Sequence, residues 1–220
     1  MAAEYRIAVL ASGAGTNLQA LIDPIASGHL RARIIGVFSD KPACQALQRA
    51  RDAGLPATAL SPKAFVSREA FDAAFFAAVD ASTPDLIVCA GYMRLISPEA
   101  ADARSDRAIN LHPSLLPAFK GLRTHQQALD AGVREHGASV HAVTADLDGG
   151  PVIAQAKVPV LPGDDADTLA TRVREREHPL LVATVRGFAE GRLALRGGRV
   201  YLNGEPLRVP LQLSATRGLA

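Results

Sequence analysis

Cysteine is scarce in this chain: Cys44 and Cys89 are its two cysteines among 220 residues. They lie far apart, no Cys-x-x-Cys pair occurs, and no histidine stands at the spacing of a zinc ligand. This pattern argues against a disulfide framework and against a zinc site, so we expect no bound metal. Cys89 falls in an apolar run, which predicts a buried thiol.

Long apolar runs and an excess of one charge are also lacking. No run approaches the roughly 18 apolar residues of a membrane span, and no basic start followed by an apolar core opens the chain. The 24 Lys and Arg residues are interleaved with 22 Asp and Glu residues, which gives a net charge of +2. We therefore expect a cytoplasmic protein whose partners are neither membranes nor nucleic acids.

Short apolar runs alternate with longer helical patterns in the first half of the chain. The runs that predict buried strands are residues 6–11, 33–38, 57–60 and 85–90. The segments that predict helices are residues 17–26, 44–53 and 67–81. This alternation predicts an α/β fold with a doubly wound, mostly parallel sheet.

The second half of the chain is less regular. Its predicted strands are residues 108–111, 138–143 and 152–158, and its predicted helices are residues 124–131 and a segment from Asp164 onward. Pro179 is expected to kink or restart that last helix, because proline lacks the N–H of the helical hydrogen bond. Asn203-Gly204 between two apolar runs predicts a C-terminal β-hairpin.

A glycine-rich loop at residues 11–17 separates the first strand from the first helix. Its backbone N–H groups can approach an anion at the positive end of the helix, which predicts a phosphate site. Leu18 replaces the last glycine of the dinucleotide fingerprint, and no Gly-Lys-Ser/Thr of a P-loop follows. The alternative is a tight turn that binds no ligand.

Asn110 and His112 stand at the end of a predicted strand. Alternation along the strand puts them on one side, roughly 7 Å apart at Cα, at the sheet edge where ligands bind in such folds. The amide can donate to a developing oxyanion, and histidine transfers protons near neutral pH. The alternative is a hydrogen-bonded histidine that caps a loop.

Asp148 precedes two glycines in the turn that follows the strand containing His141. A carboxylate in this position could project into a cleft and orient or charge His112, as an acid–base pair requires. The alternative is an ordinary hairpin turn, in which Asp-Gly is common.

Several stretches together resemble the phosphoribosylglycinamide formyltransferase family, the folate-dependent enzymes of purine biosynthesis and one-carbon metabolism. The matching stretches are residues 9–19 (VLASGAGTNLQ), 90–97 (AGYMRLIS), 110–117 (NLHPSLLP), 136–141 (HGASVH), 147–152 (LDGGPV), 177–178 (EH) and 188–193 (FAEGRL). They run in order along nearly the whole chain. The resemblance implies a Rossmann-like formyltransferase fold and a transferase activity.

The resemblance also implies roles for individual residues. Asn110, His112 and Asp148 match the catalytic trio of the family. The residues that match the ribonucleotide side are Gly15, Thr16, Asn17 and Glu177. The residues that match the folate side are Arg68, Met93, Arg94, Leu95, Ile96, Asn110, Thr144, Ala145, Asp146, Leu147 and Asp148. Local departures from the family pattern are Ala14, Arg174 and Pro179.

The implied reaction passes the formyl group of 10-formyltetrahydrofolate, a co-substrate, to the primary amine of glycinamide ribonucleotide. Asn110 and a cationic His112 stabilise the oxyanion, and Asp148 raises the pKa of the histidine. The implied organisation is a single domain over residues 1–220, acting as a monomer or homodimer. About 1–105 form the phosphate-binding half, about 106–195 the catalytic and folate half, and about 196–212 the C-terminal hairpin.

There are four alternatives to a formyltransferase function. A 10-formyltetrahydrofolate hydrolase shares the trio but usually carries an extra N-terminal domain, for which a strand starting near residue 5 leaves no room. Methionyl-tRNA formyltransferases are longer. A non-catalytic nucleotide-binding module needs no acid–base pair. A nicotinamide dehydrogenase needs a different glycine pattern, and Asp40 is the one residue of this chain that could bind its ribose.

Overall fold

The structure is a computed structural model that describes residues 4–220. Its strands are β1 (Tyr5–Leu10), β2 (Ala32–Ser39), β3 (Ala57–Ala59), β4 (Leu86–Cys89), β5 (Ala108–His112), β6 (Glu135–Ala142), β7 (Val152–Pro159), β8 (Leu193–Arg196), β9 (Arg199–Leu202), β10 (Glu205–Pro206) and β11 (Leu211–Gln212). Its helices are α1 (Thr16–Ala26), α2 (Gln45–Asp52), α3 (Arg68–Ala81), α4 (Pro98–Asp102), α5 (Thr124–Asp130) and α6 (Ala166–Ala189). A turn of 3-10 helix lies at Pro62–Ala64.

Eight strands form the central sheet, in the order β11-β7-β6-β5-β4-β1-β2-β3. The pairs from β3 to β5 are parallel, and β6 runs antiparallel to both of its neighbours. The predicted doubly wound, mostly parallel sheet is therefore confirmed. Sequence patterns missed the short helix α4 and the edge strand β11.

Both faces of the sheet are covered, which explains the continuous apolar runs in inner strands such as β1 and β4. In β1, Ile7 and Val9 belong to the core beneath α1, α2 and α6, whereas Ala8 and Leu10 belong to the core beneath α3 and α4. All four side chains are fully buried. A strand buried on both faces reads as a continuous hydrophobic run, as parallel sheets require.

Helix α6 is the longest element among residues 4–220, and it packs on β6 and β7. It begins after Asp165, whose carboxylate accepts the backbone N–H of Thr168 at 2.8 Å. Pro179 does not restart the helix, which continues through this residue to Ala189; the alternative, a kink at Pro179, stays a prediction. The buried Leu180 and Leu181 follow the proline directly, and packing of α6 on β6 and β7 compensates for the missing hydrogen bond.

The C-terminal hairpin is present, with different bounds from those expected. β9 and β10 pair across Asn203 and Gly204, which both have left-handed φ angles of 51° and 88°, as a tight hairpin turn of this kind needs. The antiparallel sheet already begins with β8 at Leu193. The chain then leaves it, and β11 joins the central sheet beside β7 because Leu211 is buried there.

The parallel strands β1, β4 and β5 end at one edge of the sheet, so the loops that follow them come together. The backbone N–H of Ser12, after β1, donates to the carbonyl of Gly91, after β4, at 3.0 Å. This edge carries the candidate site. Within residues 4–220, no helix has the length and apolar character to cross a membrane.

Candidate active site

The antiparallel pairing of β5 and β6 places Asn110 opposite His141. The amide nitrogen of Asn110 lies 3.0 Å from Nε2 of His141, and Nδ1 of His141 lies 2.9 Å from the carbonyl oxygen of Ala142. The carbonyl requires a proton on Nδ1, so Nε2 of the neutral ring accepts from the Asn110 amide. The second amide proton of Asn110 then remains available to a ligand.

Asp148 lies between two histidines at the end of this pair of strands. Its Oδ2 is 3.4 Å from Nδ1 of His112, and its Oδ1 is 3.5 Å from Nε2 of His141. Oδ2 also accepts the backbone N–H of Gly121 at 2.9 Å. Asp148 has a left-handed φ of 46°, a conformation that costs free energy for a non-glycine residue and is found at functional sites. The structure thus brings Asn110, His112 and Asp148 together.

His141 is a fourth member of the group formed by Asn110, His112 and Asp148. It lies in the matching stretch 136–141, but no role was predicted for it. It becomes visible once β6 is known to run antiparallel to β5 in the register that pairs Asn110 with His141. The sequence predicts a mostly parallel sheet, and parallel pairing of these two strands would not have placed His141 opposite Asn110. The position of His141 therefore depends on strand pairing, which local sequence patterns do not reveal.

The loop after β5 supplies the hydrogen-bond partner for the second ring nitrogen of His112. Nε2 of His112 lies 3.0 Å from the carbonyl oxygen of Phe119, a residue with a left-handed φ of 55°. The buried hydroxyl of Ser139 holds this loop: it donates to the carbonyl of Ser114 at 2.7 Å and accepts the backbone N–H of Leu116 at 3.0 Å. The acceptor facing His112 is therefore preorganised by the strand β6.

Burial decides the pKa of His112. The side chain is 7% exposed, and this desolvation lowers its pKa below 6.5, although the Phe119 carbonyl and the Asp148 carboxylate both act to raise it. Asp148 acts on the pKa of His112 in the direction that the resemblance implies, but burial outweighs this effect and the net direction is downward.

Asp148 is ionised at neutral pH. Burial acts to raise its pKa, but the neighbouring His141 side chain, the backbone N–H of Gly121 and the neighbouring His112 side chain hold the pKa below its usual value. The resting site therefore contains a carboxylate beside a chiefly neutral His112. This is an acid–base pair in which the carboxylate favours any proton that the histidine takes up.

A cavity of about 110 Å³ adjoins this group. Its walls are formed by Cys89, Tyr92, Arg94, Leu95, Ile96, Asn110, His141, Val143, Thr144, Ala145, Asp146, Leu147 and Asp148. Nine of the eleven residues predicted for the folate side are among them, and Cys89 and Tyr92 were not predicted. Among residues 4–220, no cluster of His, Cys, Asp or Glu side chains is arranged to hold a metal ion.

The other two residues predicted for the folate side, Arg68 and Met93, do not line this cavity. Arg68 begins α3, and its guanidinium lies 3.5 Å from the carboxylate of Glu69. Met93 is 68% exposed, and its backbone N–H donates to the hydroxyl of Ser12 at 3.0 Å. Their assignment to the folate side stays a prediction.

The glycine-rich loop forms the N-terminal end of α1. Gly15 has a left-handed φ of 73°, and a Cβ at this position would lie 2.6 Å from Cα of Ala46. The loop therefore packs directly on α2, where the backbone N–H of Ala46 donates to the carbonyl of Gly13 at 3.0 Å. The amides of Thr16 and Asn17 in the first turn have no helical acceptor and face outward along the helix axis.

Asn17 and Glu177 bring α1 and α6 together beside this loop. Burial raises the pKa of Glu177, while the charge of Arg174 and a hydrogen bond from Asn17 act to lower it. Oδ1 of Asn17 is buried and finds no donor among the residues that the structure describes. An unpartnered buried acceptor costs free energy, so this position suits a ligand that carries a hydroxyl or amine donor.

Comparison with known proteins identifies the family. Residues 5–185 match the family described as formyl transferase. The phosphoribosylglycinamide formyltransferase of Escherichia coli (strain K12) is 46% identical over 201 residues, which cover 91% of this chain and 95% of the relative. A solved phosphoribosylglycinamide formyltransferase from Coxiella burnetii is 42% identical with a TM-score of 0.89, and 98% of each chain is covered.

A formyltetrahydrofolate deformylase is also similar, but less so. The solved structure from Burkholderia mallei is 32% identical with a TM-score of 0.80, and the match covers 91% of this chain and 70% of that protein. The two formyltransferases are more similar in sequence, and the match covers 95% and 98% of their length against 70% of the deformylase. The chain therefore belongs to the phosphoribosylglycinamide formyltransferase family.

Proposed function

We propose that this protein transfers the formyl group of 10-formyltetrahydrofolate to the primary amine of glycinamide ribonucleotide, a step of purine biosynthesis in the cytoplasm. The observation that carries the proposal is the position of the Asp148 carboxylate between His112 and His141, beside Asn110 at the end of a cavity. This arrangement supplies both a proton carrier and an amide donor where an acyl group would react.

The amine nitrogen attacks the formyl carbon, a C–N bond forms, and the bond from that carbon to the folate nitrogen breaks. The His112–Asp148 pair takes up the proton that the amine loses and returns it to the departing nitrogen. A proton gained by His112 is well accommodated, because its ring nitrogens face Asp148 at 3.4 Å and the Phe119 carbonyl at 3.0 Å. The free amide proton of Asn110 and the cationic ring stabilise the developing oxyanion.

The proposal assigns the ribonucleotide to the α1 end of the site. The backbone amides of Gly15, Thr16 and Asn17 receive the phosphate, since they are the donors that the helix end offers. Glu177 and Oδ1 of Asn17 are acceptors, so they suit the hydroxyl or amine donors of the ligand rather than its phosphate.

The folate is assigned to the cavity on the other side of Asn110. The apolar side chains of Leu95, Ile96 and Val143 form walls for a flat ring. The segment 144–148 supplies backbone polar groups beside them. Arg94 also lines this pocket, and Arg68 and Met93 are proposed to face the rest of the folate outside it. The molecule is proposed to act as a monomer or homodimer.

An assay of formyl transfer tests the proposal. The protein is given 10-formyltetrahydrofolate with and without glycinamide ribonucleotide, and the release of tetrahydrofolate is followed spectrophotometrically. We expect product only when the ribonucleotide is present. Product formed equally well without it would show a hydrolase, and no product in either case would leave a nucleotide-binding module.

A variant ties the reaction to this site. We expect His112→Ala to lower turnover by roughly 10²-fold or more while the folate analogue still binds. His29→Ala, which removes an exposed histidine in the turn after α1, serves as the matched control and should keep full activity. A fully active His112→Ala enzyme would remove this histidine from the proposed chemistry.

A further inference from the structure

One side of the folate pocket is formed by a segment without regular secondary structure. Residues 92–97 lie between β4 and α4, and Tyr92, Arg94, Leu95 and Ile96 among them line the pocket. We call residues 92–97 the wall segment. Because such a segment has no ladder or helix of its own to fix it, its position depends on the groups that the rest of the protein supplies.

Helix α3 contacts the wall segment through two aromatic rings. The ring of Phe75 stacks on that of Tyr92, with a distance of 5.4 Å between the ring centres. The guanidinium of Arg94 lies 4.7 Å from the centre of the Phe71 ring. These contacts place the first half of the wall segment against α3, but they leave its backbone polar groups without partners.

Two side chains accept backbone N–H groups of the wall segment. Near its start, the hydroxyl of Ser12 accepts the N–H of Met93 at 3.0 Å. At its end, Oδ2 of Asp72 accepts the N–H of Ser97 at 2.7 Å. Asp72 lies on α3 between the two aromatic rings, so the same helix holds both the side chains and the backbone of the wall segment.

Asp72 is an unusual residue for its position. It is 1% exposed and its Ser97 partner is 3% exposed, and Oδ1 of Asp72 finds no donor among residues 4–220. A buried carboxylate with one unpartnered oxygen costs free energy, which an apolar residue beside Phe71 and Phe75 would avoid. The hydrogen bond to Ser97 is the interaction that offsets this cost, because a charged acceptor makes it strong.

Loss of this acceptor would displace the pocket wall. The N–H of Ser97 is buried, so without Asp72 it could be satisfied only if the wall segment moved toward water. Leu95 and Ile96 stand directly before Ser97 and would move with it. Both side chains face the pocket, so its shape depends on a carboxylate that is not itself among the lining residues.

We infer that Asp72 is a positioning residue for the folate pocket, which acts through the backbone of Ser97 on Leu95 and Ile96. The inference rests on the proposed function, since it takes the folate ring as the ligand of this pocket. The competing role is purely structural: Asp72 would then support the start of α4 and affect the stability of the fold without any preference between the two substrates.

The test compares two substitutions of Asp72 with a control on the same helix. Asp72→Leu removes the acceptor at similar volume, whereas Asp72→Asn keeps an acceptor oxygen and loses the charge. Asp80→Leu is the matched control, because Asp80 pairs with Arg104 and Arg107, neither of which lines the pocket. The readouts are the dissociation constant of 5,10-dideazatetrahydrofolate, the KM for glycinamide ribonucleotide, and the Tm.

We expect Asp72→Leu to weaken binding of the folate analogue by roughly tenfold or more, and to leave the KM for the ribonucleotide within about threefold of the natural value. Asp72→Asn should bind the analogue within about threefold of the natural affinity, because its amide oxygen can still accept the N–H of Ser97. Asp80→Leu should lower the Tm while its affinity for the analogue stays within about threefold.

A second variant removes the other partner of the same hydrogen bond. Ser97 has a φ of −64°, the value that proline requires, so Ser97→Pro deletes the N–H at a compatible backbone angle. We expect it to weaken binding of the folate analogue by roughly tenfold or more, as Asp72→Leu does. This variant keeps the test decisive if Asp72→Leu does not fold.

Several outcomes would overturn the inference. They are natural affinity for the analogue in folded Asp72→Leu or Ser97→Pro, equal weakening of both substrates in Asp72→Leu, or a loss in Asp72→Asn as large as in Asp72→Leu. Each leaves the proposed function intact as long as the natural protein binds the analogue. If the natural protein does not bind it, the inference and the proposed function both fail.

Discussion

At the scale of single residues, His112 balances two opposing effects. Burial favours the neutral ring, whereas the Asp148 carboxylate and the Phe119 carbonyl each favour a proton on the nitrogen that faces them. A resting ring that is chiefly neutral can accept a proton from the attacking amine. The two acceptors then stabilise the cation, so the site holds the charged form best at the moment when it is needed.

Removing the negative charge of Asp148 tests this balance. We expect Asp148→Asn to lower kcat by roughly 10²- to 10⁴-fold, because the neutral amide no longer stabilises the His112 cation. Single-turnover measurements with saturating substrates report the chemical step directly. Asp130→Asn, at an exposed position on α5 that does not line the cavity, is the matched control and should change kcat by less than about threefold.

A mild effect of Asp148→Asn would mean that this residue shapes the turn and takes no part in proton transfer. Its left-handed φ of 46° would then be the main reason for its identity, and asparagine tolerates that conformation as well. The substitution therefore separates the charge of the residue from its backbone role.

At the scale of elements, local sequence patterns predicted most of the fold. The strand and helix cores of β1 to β5 were predicted because burial on both faces and helical periodicity leave local signals. The partners of β6 and the docking of β11 beside β7 depend on contacts between residues distant in sequence. Asn110, His112 and Asp148 stand in local motifs, so they could be predicted from the sequence. His141 and Tyr92 reach the cavity through contacts between distant residues, so their positions could not be predicted.

The glycine-rich loop is the element whose geometry is most tightly constrained. We expect Gly15→Ala to raise the KM for glycinamide ribonucleotide by roughly tenfold or more, because its Cβ would lie 2.6 Å from Cα of Ala46 and the first turn of α1 must move away. The KM for the folate should change much less, since the folate pocket lies on the other side of Asn110. Steady-state kinetics with each substrate varied in turn gives both values.

Gly13→Ala provides the matched comparison in the same loop. A Cβ at Gly13 meets no other heavy atom within 4 Å, and this glycine does not have a left-handed φ. We expect it to leave the KM for the ribonucleotide within about threefold of the natural value. Equal effects of the two substitutions would show that the spacing between α1 and α2 does not set the phosphate site.

At the scale of the whole molecule, buried histidines couple the catalytic edge of the sheet to acid stability. His136 on β6 is fully buried, and its Nε2 lies 3.1 Å from Nδ1 of His125. Burial, together with the nearby His125 and His112, lowers the pKa of His136 to about 4. The pKa values of His112, His125 and His178 are lowered as well, also chiefly by burial.

These shifts fix the sign of the pH dependence. A histidine whose pKa is about 6.5 in the unfolded chain and about 4 in the folded protein is protonated first in the unfolded state. The stability that it contributes is complete above pH 6.5, and it is lost as the pH falls toward 4. His136 alone should account for roughly 1–3 kcal/mol of this loss.

We therefore expect the free energy of unfolding of the natural protein to fall between about pH 7.5 and pH 5, and that of His136→Gln to fall less over the same interval. Guanidinium denaturation at each pH measures both values, and the difference between the two pH values is the readout, because the substitution itself changes stability at every pH. His29→Gln, in an exposed turn, should reproduce the natural slope. If His136→Gln showed the full natural slope, the acid sensitivity would have to come from the remaining buried histidines, with His112 at the active site as the first to test.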